Sequence, residues 1–405
     1  MALSSKQTEY LQSCNHRWNI KVGATGSGKS WMDYAVVIPK RLLALRGQGA
    51  AVLLGNTQGT LSRNILEPMR DIWGEALVGN ISSDNTARLF GQRVHILGAD
   101  NRKHVARLQG MTIEYAYGDE MTTWNEEVFQ MLKSRLRCAH SFFDGTANPA
   151  SPQHFVKAFI DSDADVYCQT STIDDNPFLP PEFVENLKRE YAGTVYYNRF
   201  ILGQWAAAEG VIYRQFADDP AYFLLDETPD LALATIGVDF GGNGSAHAFV
   251  CNGITKDWRG VVTLEEYYRK EVISPALLED DFVDFVRLCK SRYRVYEAFC
   301  DSAEQVLIEG LRNAVARSKL EIEVKNARKG PINDRIRFYC RLMGVGRYHV
   351  LRRCTHVIDA LTGALWSNKD KTKDIRLDDG TLNIDSLDAL EYSTEAYMDD
   401  IIALG

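Results

Sequence analysis

The 405 residues include 46 Lys and Arg against 54 Asp and Glu, a formal net charge of −8, with 45% hydrophobic and 25% charged residues. This is the composition of an ordinary soluble protein, longer than one core usually serves, so two domains are expected. The acidic balance excludes attraction of nucleic acid by bulk charge, so any DNA contact has to come from a local patch.

Eight cysteines (14, 138, 168, 251, 289, 300, 340 and 354) are scattered without a C-x-x-C pair. That pattern suits reduced cytosolic thiols and argues against a zinc centre. No apolar run approaches the ~20 residues of a membrane span. The first residues, Met1 to Lys6, lack the apolar core of a signal peptide.

In chain order, residues 5–13 predict a short helix. On it, Gln7 offers the donor and acceptor that match an adenine edge, with a solvated glutamine as the alternative. Residues 18–22 predict a strand, and 31–45 a helix that Pro39 interrupts. Between them, Gly23 to Ser30 reads G-x-x-x-x-G-K-S, the strand–loop–helix setting of a phosphate-binding loop. Gly23, Thr25, Gly26, Ser27 and Gly28 supply a backbone that can turn its N–H groups onto the phosphates of ATP. Lys29 is expected to reach the β- and γ-phosphates and the Ser30 hydroxyl to ligate Mg²⁺.

Residues 50–56 form a short apolar run, 57–72 have helical spacing, and 94–97 and 112–118 predict further strands. Repeating β and α imply an α/β fold with a mostly parallel sheet. The strand at 112–118 ends in Asp119 and Glu120. Asp119 is expected in the Mg²⁺ shell near Ser30, and Glu120 to polarise the attacking water. The strand from Ser141 exits through Thr146-Ala-Asn148-Pro149. Asn148 can sense the γ-phosphate and pass hydrolysis to a moving element; an Asn-Pro turn is the plain alternative.

The loop at 23–30, the acidic pair followed by Met121-Thr-Thr-Trp124, and Thr146 to Pro149 together resemble the large terminase subunit of tailed bacteriophages. Residues 172–178, 202–205 and 209–213 are similar to segments of that family, and the resemblance covers nearly the whole chain. It implies an ATP-hydrolysing motor that packages double-stranded DNA, fused to a nuclease that cuts it. It also implies a portal protein and a small terminase subunit as partners, and a homo-oligomeric ring on the portal, with a monomer as the free form. No membrane is involved, and the place of action is the host-cell cytoplasm, at the procapsid. The runner-up reading is a P-loop helicase or repair ATPase with a non-catalytic C-terminal domain. A departure from the family is Thr25, where many relatives carry an arginine that stabilises the transferring phosphoryl group. Lys21, Arg63, Arg107, Arg135, Arg137 or an arginine of a neighbouring subunit are the possible substitutes.

Turn signals place a linker at 206–232, giving an ATPase domain at 1–205 and a second domain at 233–405. There, strands at 233–239, 247–252 and 260–268, the first ending at Asp239, resemble an RNase H-like α/β nuclease core. A helix near 276–292, a strand ending at Asp301, a helix at 303–317 and a strand at 321–325 follow. Leu382 to Tyr392 resembles the family's closing motif. Asp388 matches its aspartate, and Asp385 shares the helix face where relatives often have histidine. Phosphodiester cleavage by two Mg²⁺ or Mn²⁺ ions needs carboxylates converging on metals ~4 Å apart. Asp239, Asp301, Asp385 and Asp388 are the expected ligands, Glu265 and Glu266 secondary ones, and His247 is read as structural. A basic segment at 320–354 is expected to track DNA, against the alternative of a solvated face. Residues 374–383 predict a hairpin with an Asp-Gly turn.

Overall fold

The computed structural model of the chain describes residues 3–241 and 245–404. They form two compact units, the first of Met1–Glu185, Val195–Ala207 and Lys371–Lys373, the second of Asn186–Thr194, Ala208–Asp370 and Asp374–Gly405. Residues 206–232, read as a linker from their turn signals, carry the helices Arg214–Asp218 and Pro220–Phe223 and a short strand, β8 (Leu224–Leu225) in chain order. Tyr213, Phe216 and Phe223 lie between those signals and are buried, which builds the segment into the second unit.

The first unit is a seven-stranded sheet of β1 (Trp18–Gly23), β2 (Ala50–Gly55), β3 (Thr86–Leu89), β4 (Gln92–Gly98), β5 (Ile113–Gly118), β6 (Phe142–Ala147) and β7 (Val166–Ser171). The spatial order is β3-β4-β2-β5-β6-β1-β7, and of these strands only β3 runs antiparallel to its neighbour. Continuous apolar strands arise because both sheet faces are covered. Val52 and Leu54 join Ile20, Ala116 and Phe129 in one core, while Ala51 and Leu53 join Tyr115, Leu61 and Ile65 in the other. Strand alternation accounts for the division. Because the sheet is parallel, β1, β5 and β6 deliver their C-terminal ends, and the loops that follow, to one edge. The strand leading to Asn148, β6, lies between those leading to the glycine loop and to Asp119.

Two helices of this unit share an irregularity. The run 29–43 is π-wound over Asp33–Val37, and the run 58–73 over Ser62–Leu66. Each wide turn ends just before an X-Pro pair, Ile38-Pro39 and Glu67-Pro68. A helical proline lacks its N–H and its ring presses on the carbonyl four residues back, which widening relieves. Pro39 therefore does not break the helix, which continues over Ile38–Leu43.

The second unit holds β8, β9 (Leu231–Asp239), β10 (His247–Thr255), β11 (Val261–Arg269), β12 (Val295–Cys300), β13 (Glu323–Asn326) and β14 (Tyr348–Leu351). Their order is β13-β12-β9-β10-β11-β14-β8. β9, β10 and β11 form an antiparallel meander, and β12 and β13 run parallel beside β9, which is the RNase H-like strand pattern. The helix Asp385–Glu395 lies on β9 and β10. It is tied by Thr235 Oγ1 donating to Ser393 O at 2.6 Å and Asn252 Nδ2 to Leu390 O at 3.2 Å.

Gly237 makes this contact possible, since a Cβ there would stand 1.8 Å from Ala389 O and 2.7 Å from Ser393 N. Gly237→Ala is expected to lift the helix and cost about 3 kcal/mol, read as a lower urea midpoint. An unchanged midpoint would refute the close packing. The expected hairpin at 374–383 does not form among the described residues. Arg376 instead bridges Trp366, with Ser367 N donating to Ile375 O and Leu377 N to Leu365 O, so the preceding segment is the strand partner. The Asp379-Gly380 turn is satisfied locally by Thr381.

Candidate functional site

A cleft of about 840 Å³ opens at the C-terminal edge of the first unit's sheet, lined by residues 25–30, Gln7, Asp119, Glu120, Asn148 and others. Gly26 and Gly28 have left-handed backbones (φ +74° and +82°), which glycine adopts without strain. Lys29 Nζ folds back onto the loop, 2.9 Å from Gly23 O and 2.7 Å from Ala24 O, and reaches Asn148 Oδ1 at 3.2 Å. Burial pulls its pKa down to about 8, against the opposing pull of Glu120 and Asp119. An ammonium held by carbonyls in an anion-shaped loop fits the phosphates of a nucleotide.

Asp119 is buried, and burial raises its pKa. Its carboxylate accepts from Thr146 Oγ1 (3.1 Å), Tyr117 OH (3.3 Å) and Asn64 Nδ2 (3.4 Å). Thr146 also accepts from Glu120 N at 3.1 Å, and Thr122 Oγ1 donates to Asn148 O at 3.0 Å. Glu120 has a left-handed backbone, φ +48°, uncommon for a side chain of that size and typical of functional turns. The structure thus brings Lys29, Ser30, Asp119, Glu120 and Asn148 around one cleft.

Gln7 is there too, with its amide engaged by the protein: Oε1 accepts from Ser4 N (3.0 Å) and Nε2 donates to Gly28 O (3.3 Å). It caps its own helix and braces the loop. Asn64, Thr146 and Asn176, whose Nδ2 donates to Gly26 O at 2.6 Å, had no role in the sequence reading. Thr146 and Asn176 carried a signal, their places in the segments 146–149 and 172–178, and Asn64 carried none.

The cationic substitutes for Thr25 separate cleanly. Lys21 is buried against Asp33 (2.7 Å) and over the Tyr10 ring. Arg137 is held by Met111 O and Thr112 Oγ1. Arg107 and Arg135 do not line the cleft, whereas Arg63 does. It is exposed and has no ion-pair partner among the described residues. It sits in the π-wound turn beside Asn64.

In the second unit, Asp239 ends β9 and Asp301 follows β12, the two joined by Asp301 N donating to Val238 O at 3.0 Å. Asp385 and Asp388 project from the helix laid across β9, and Asp385 Oδ2 accepts from Ala246 N at 2.8 Å. Asp239 is only 8% exposed. Burial first, then Asp388, Asp385 and Asp301, raise its pKa well above the usual carboxylate range. Four mutually repelling carboxylates with one buried fit hard divalent cations in donor chemistry.

As arranged, the outer members hold protein cations: Asp388 takes Arg376 at 2.5 Å and Asp301 takes Lys329 at 2.6 Å. Among the described residues no group of three acids, histidines or cysteines is set around a single ion. Glu391 lies behind, buried between Arg376 (2.8 Å) and Arg335 (3.0 Å). Neither Glu391 nor Arg376 was singled out in the sequence. Glu265 and Glu266 stand outside the cluster. Glu265 holds Arg292 and Arg353, and Glu266 accepts from His356 N and Val357 N at a helix start. His247 Nδ1 accepts from Gly241 N, consistent with a structural part.

The basic segment at 320–354 does not form a free cationic face. Lys325, Lys329, Arg335, Arg337, Arg341, Arg352 and Arg353 each pair with a carboxylate, and Arg347 donates to backbone carbonyls. Most of their acids come from distant segments, so most of the excess seen along the chain is cancelled in space, with Arg328 exposed and without an ion pair among the described residues.

The chain thus joins an α/β unit with a phosphate-loop cleft to an RNase H-like α/β unit. Residues 21–217 match the family model for the N-terminal part of the T4likevirus-type terminase large subunit. Over 99% of its length and 100% of the relative's, the chain has the fold of the large terminase from a thermophilic bacteriophage, with a TM-score of 0.85 at 20% identity. That phage protein in complex with ADP gives 0.80 at 19% identity, covering 96% of this chain and 98% of that one. Its complex with ATP-gamma-S gives 0.80 at 20% over the same shares. No curated protein sequence matches the chain. Residues 21–217 thus match the N-terminal model of the large terminase subunit family, and the whole chain shares the fold of a large terminase.

Proposed function

We propose that this chain hydrolyses ATP to drive double-stranded DNA into a procapsid and cuts that DNA with a two-metal endonuclease site. The observation that carries the motor half is the meeting of Lys29, Asp119, Glu120 and Asn148 on one cleft. In that reading the loop backbone and Lys29 bind the phosphates, and Ser30 and Asp119 would hold Mg²⁺. Glu120 orients and polarises the attacking water, and Asn148, already bonded to Lys29, registers loss of the γ-phosphate. Gln7 positions the loop and offers its remaining N–H to the base. For cutting, Asp239, Asp301, Asp388 and Asp385 would hold two Mg²⁺ or Mn²⁺ ions. Such ions supply charge that activates water and stabilises the leaving oxygen. Asp301 and Asp388, which hold Lys329 and Arg376 here, would have to exchange these cations for the ions. The proposed domains are 1–205 for the ATPase and 233–405 for the nuclease, with 206–232, expected as a linker, packed into the second unit. The partners are a portal protein, on which the chain forms a ring, and a small terminase subunit, in the host cytoplasm.

Arg63 supplies the cation that Thr25 does not. It lines the cleft, pairs with no acid among the described residues, and neighbours the Asn64 that touches Asp119. Arg63→Ala is expected to lower kcat on the order of 10³-fold with KM for ATP within a few-fold. Mixing it with Lys29→Ala subunits should not restore turnover if Arg63 acts within its own chain. An unchanged kcat rules Arg63 out. Absence of hydrolysis by the unaltered chain would instead remove the ATPase reading, and a helicase or repair ATPase is distinguished by an inert second domain.

A further inference from the structure

We infer that the second unit carries a DNA-backbone site remote from the aspartate cluster, at the opposite end of β9. A cleft of about 770 Å³ is lined there by Asp230, Lys256, Arg292, Tyr293, Arg294 and Arg353, among others. Behind this lining the buried Glu265 bonds Arg292 Nη1 at 2.7 Å, Arg353 Nη2 at 2.7 Å and Tyr293 OH at 3.0 Å. One carboxylate shared by two guanidiniums holds both in place and neutralises one of them. Lys256 and Arg294 are exposed and have no ion pair among the described residues. Of the nearby acids outside the lining, Asp226 is paired with Arg352 at 2.9 Å, while the exposed Glu227 and Asp257, the latter bonded by Thr255 Oγ1 at 2.6 Å and Arg259 N at 3.2 Å, keep their charge. Four cations against Asp230 and Glu265 leave an excess of two positive charges, in a chain whose formal net charge is −8.

The ligand this chemistry selects is a row of phosphodiesters. Prearranged guanidinium forks match phosphate oxygens, and the exposed Lys256 and Arg294 gain by counterion release. The choice of DNA over an acidic protein rests on the proposed function, in which DNA is the load. It also places the local patch that an acidic chain requires, with Arg353 as its one member from the segment 320–354.

The location sets a length. Leu231, which lines the cleft, and Asp239 stand at the two ends of β9. Eight residue steps at ~3.3 Å separate them by roughly 26 Å. At about 3.4 Å per base pair, a duplex touching both sites must extend about eight base pairs from the cut.

The test is binding of a fluorescent 25-base-pair duplex to the full chain in EDTA over a salt series, for the unaltered protein and for Lys256→Gln/Arg294→Gln. Unchanged thermal unfolding of the variant establishes its fold. The variant is expected to bind at least tenfold more weakly at low salt, with a salt slope smaller by about 1.8, the loss of two phosphate contacts. Equal affinity and slope on the long duplex overturns the inference and leaves the cleft to an acidic protein. If the unaltered chain binds no duplex at all, the reading of DNA as its load fails with it.

Discussion

Lys29→Ala is expected to reduce ATP hydrolysis by roughly 10³-fold or more, the scale for losing one preorganised charge at a transferring phosphoryl group, while the fold persists. Lys29 makes no ion pair among the described residues; its ammonium rests on Gly23 O, Ala24 O and Asn148 Oδ1, acceptors that water can satisfy at the rim of an open cleft. The depressed pKa adds a pH signature. Free Lys29 titrates at about 8 because burial penalises its charge, and bound phosphates restore the charged form. Below pH 8 the ammonium is already charged and nucleotide binds at full strength. Above it, each binding event must take up a proton, so affinity falls about tenfold per pH unit until the pKa of the complex is reached. Titration with ATP-gamma-S at pH 7, 8 and 9 reads this out, and Lys29→Met should flatten it. A flat profile in the unaltered protein would mean that Lys29 does not meet the phosphates.

The second large effect is expected at Asp239. Asp239→Asn should abolish Mn²⁺-dependent plasmid nicking, a loss of roughly 10³-fold or more, since a neutral amide cannot replace a buried carboxylate between metal ions. The same change should raise metal-free stability by about 1–3 kcal/mol, because it removes a buried charge facing Asp301, Asp385 and Asp388. The opposite signs separate catalysis from folding: thermal unfolding in EDTA should move up as nicking disappears. A variant that still nicks would end the nuclease reading, and one that unfolds earlier would show that Asp239 holds the structure and not an ion.

Much of the framework was legible because it depends on local sequence. The glycine loop between strand and helix, the acid pair after an apolar run, and the nine-residue strand closing on Asp239 are all short-range patterns. Strands β3 and β7 were not anticipated. Thr86 to Leu89 is too short to show a period, and Val166 to Ser171 is edge strand with three half-buried residues at its start, which blurs its pattern. The hairpin at 374–383 failed for a different reason. Its Asp-Gly turn forms, but Leu365 to Ser367 competes for the strand, and a competitor upstream leaves no mark in the segment itself.

Sequence alone therefore determined the chemistry on offer: which residues can bind phosphate, polarise water or ligate a hard cation, and in which order the elements run. Tertiary structure decided which of them meet. Of the five candidate cations in this chain it brings Arg63 to the lining of the cleft, on a π-wound turn, and it placed Asn148 on Lys29 because β6 lies between β1 and β5. It paired most of the basic run at 320–354 with acids drawn from elsewhere, and gathered Lys256, Arg292, Arg294 and Arg353 with Asp230 around another cleft. Charge and reactivity belong to side chains and can be read one at a time. Proximity is set by strand order and packing, which join residues far apart in the chain, and electrostatic balance follows proximity.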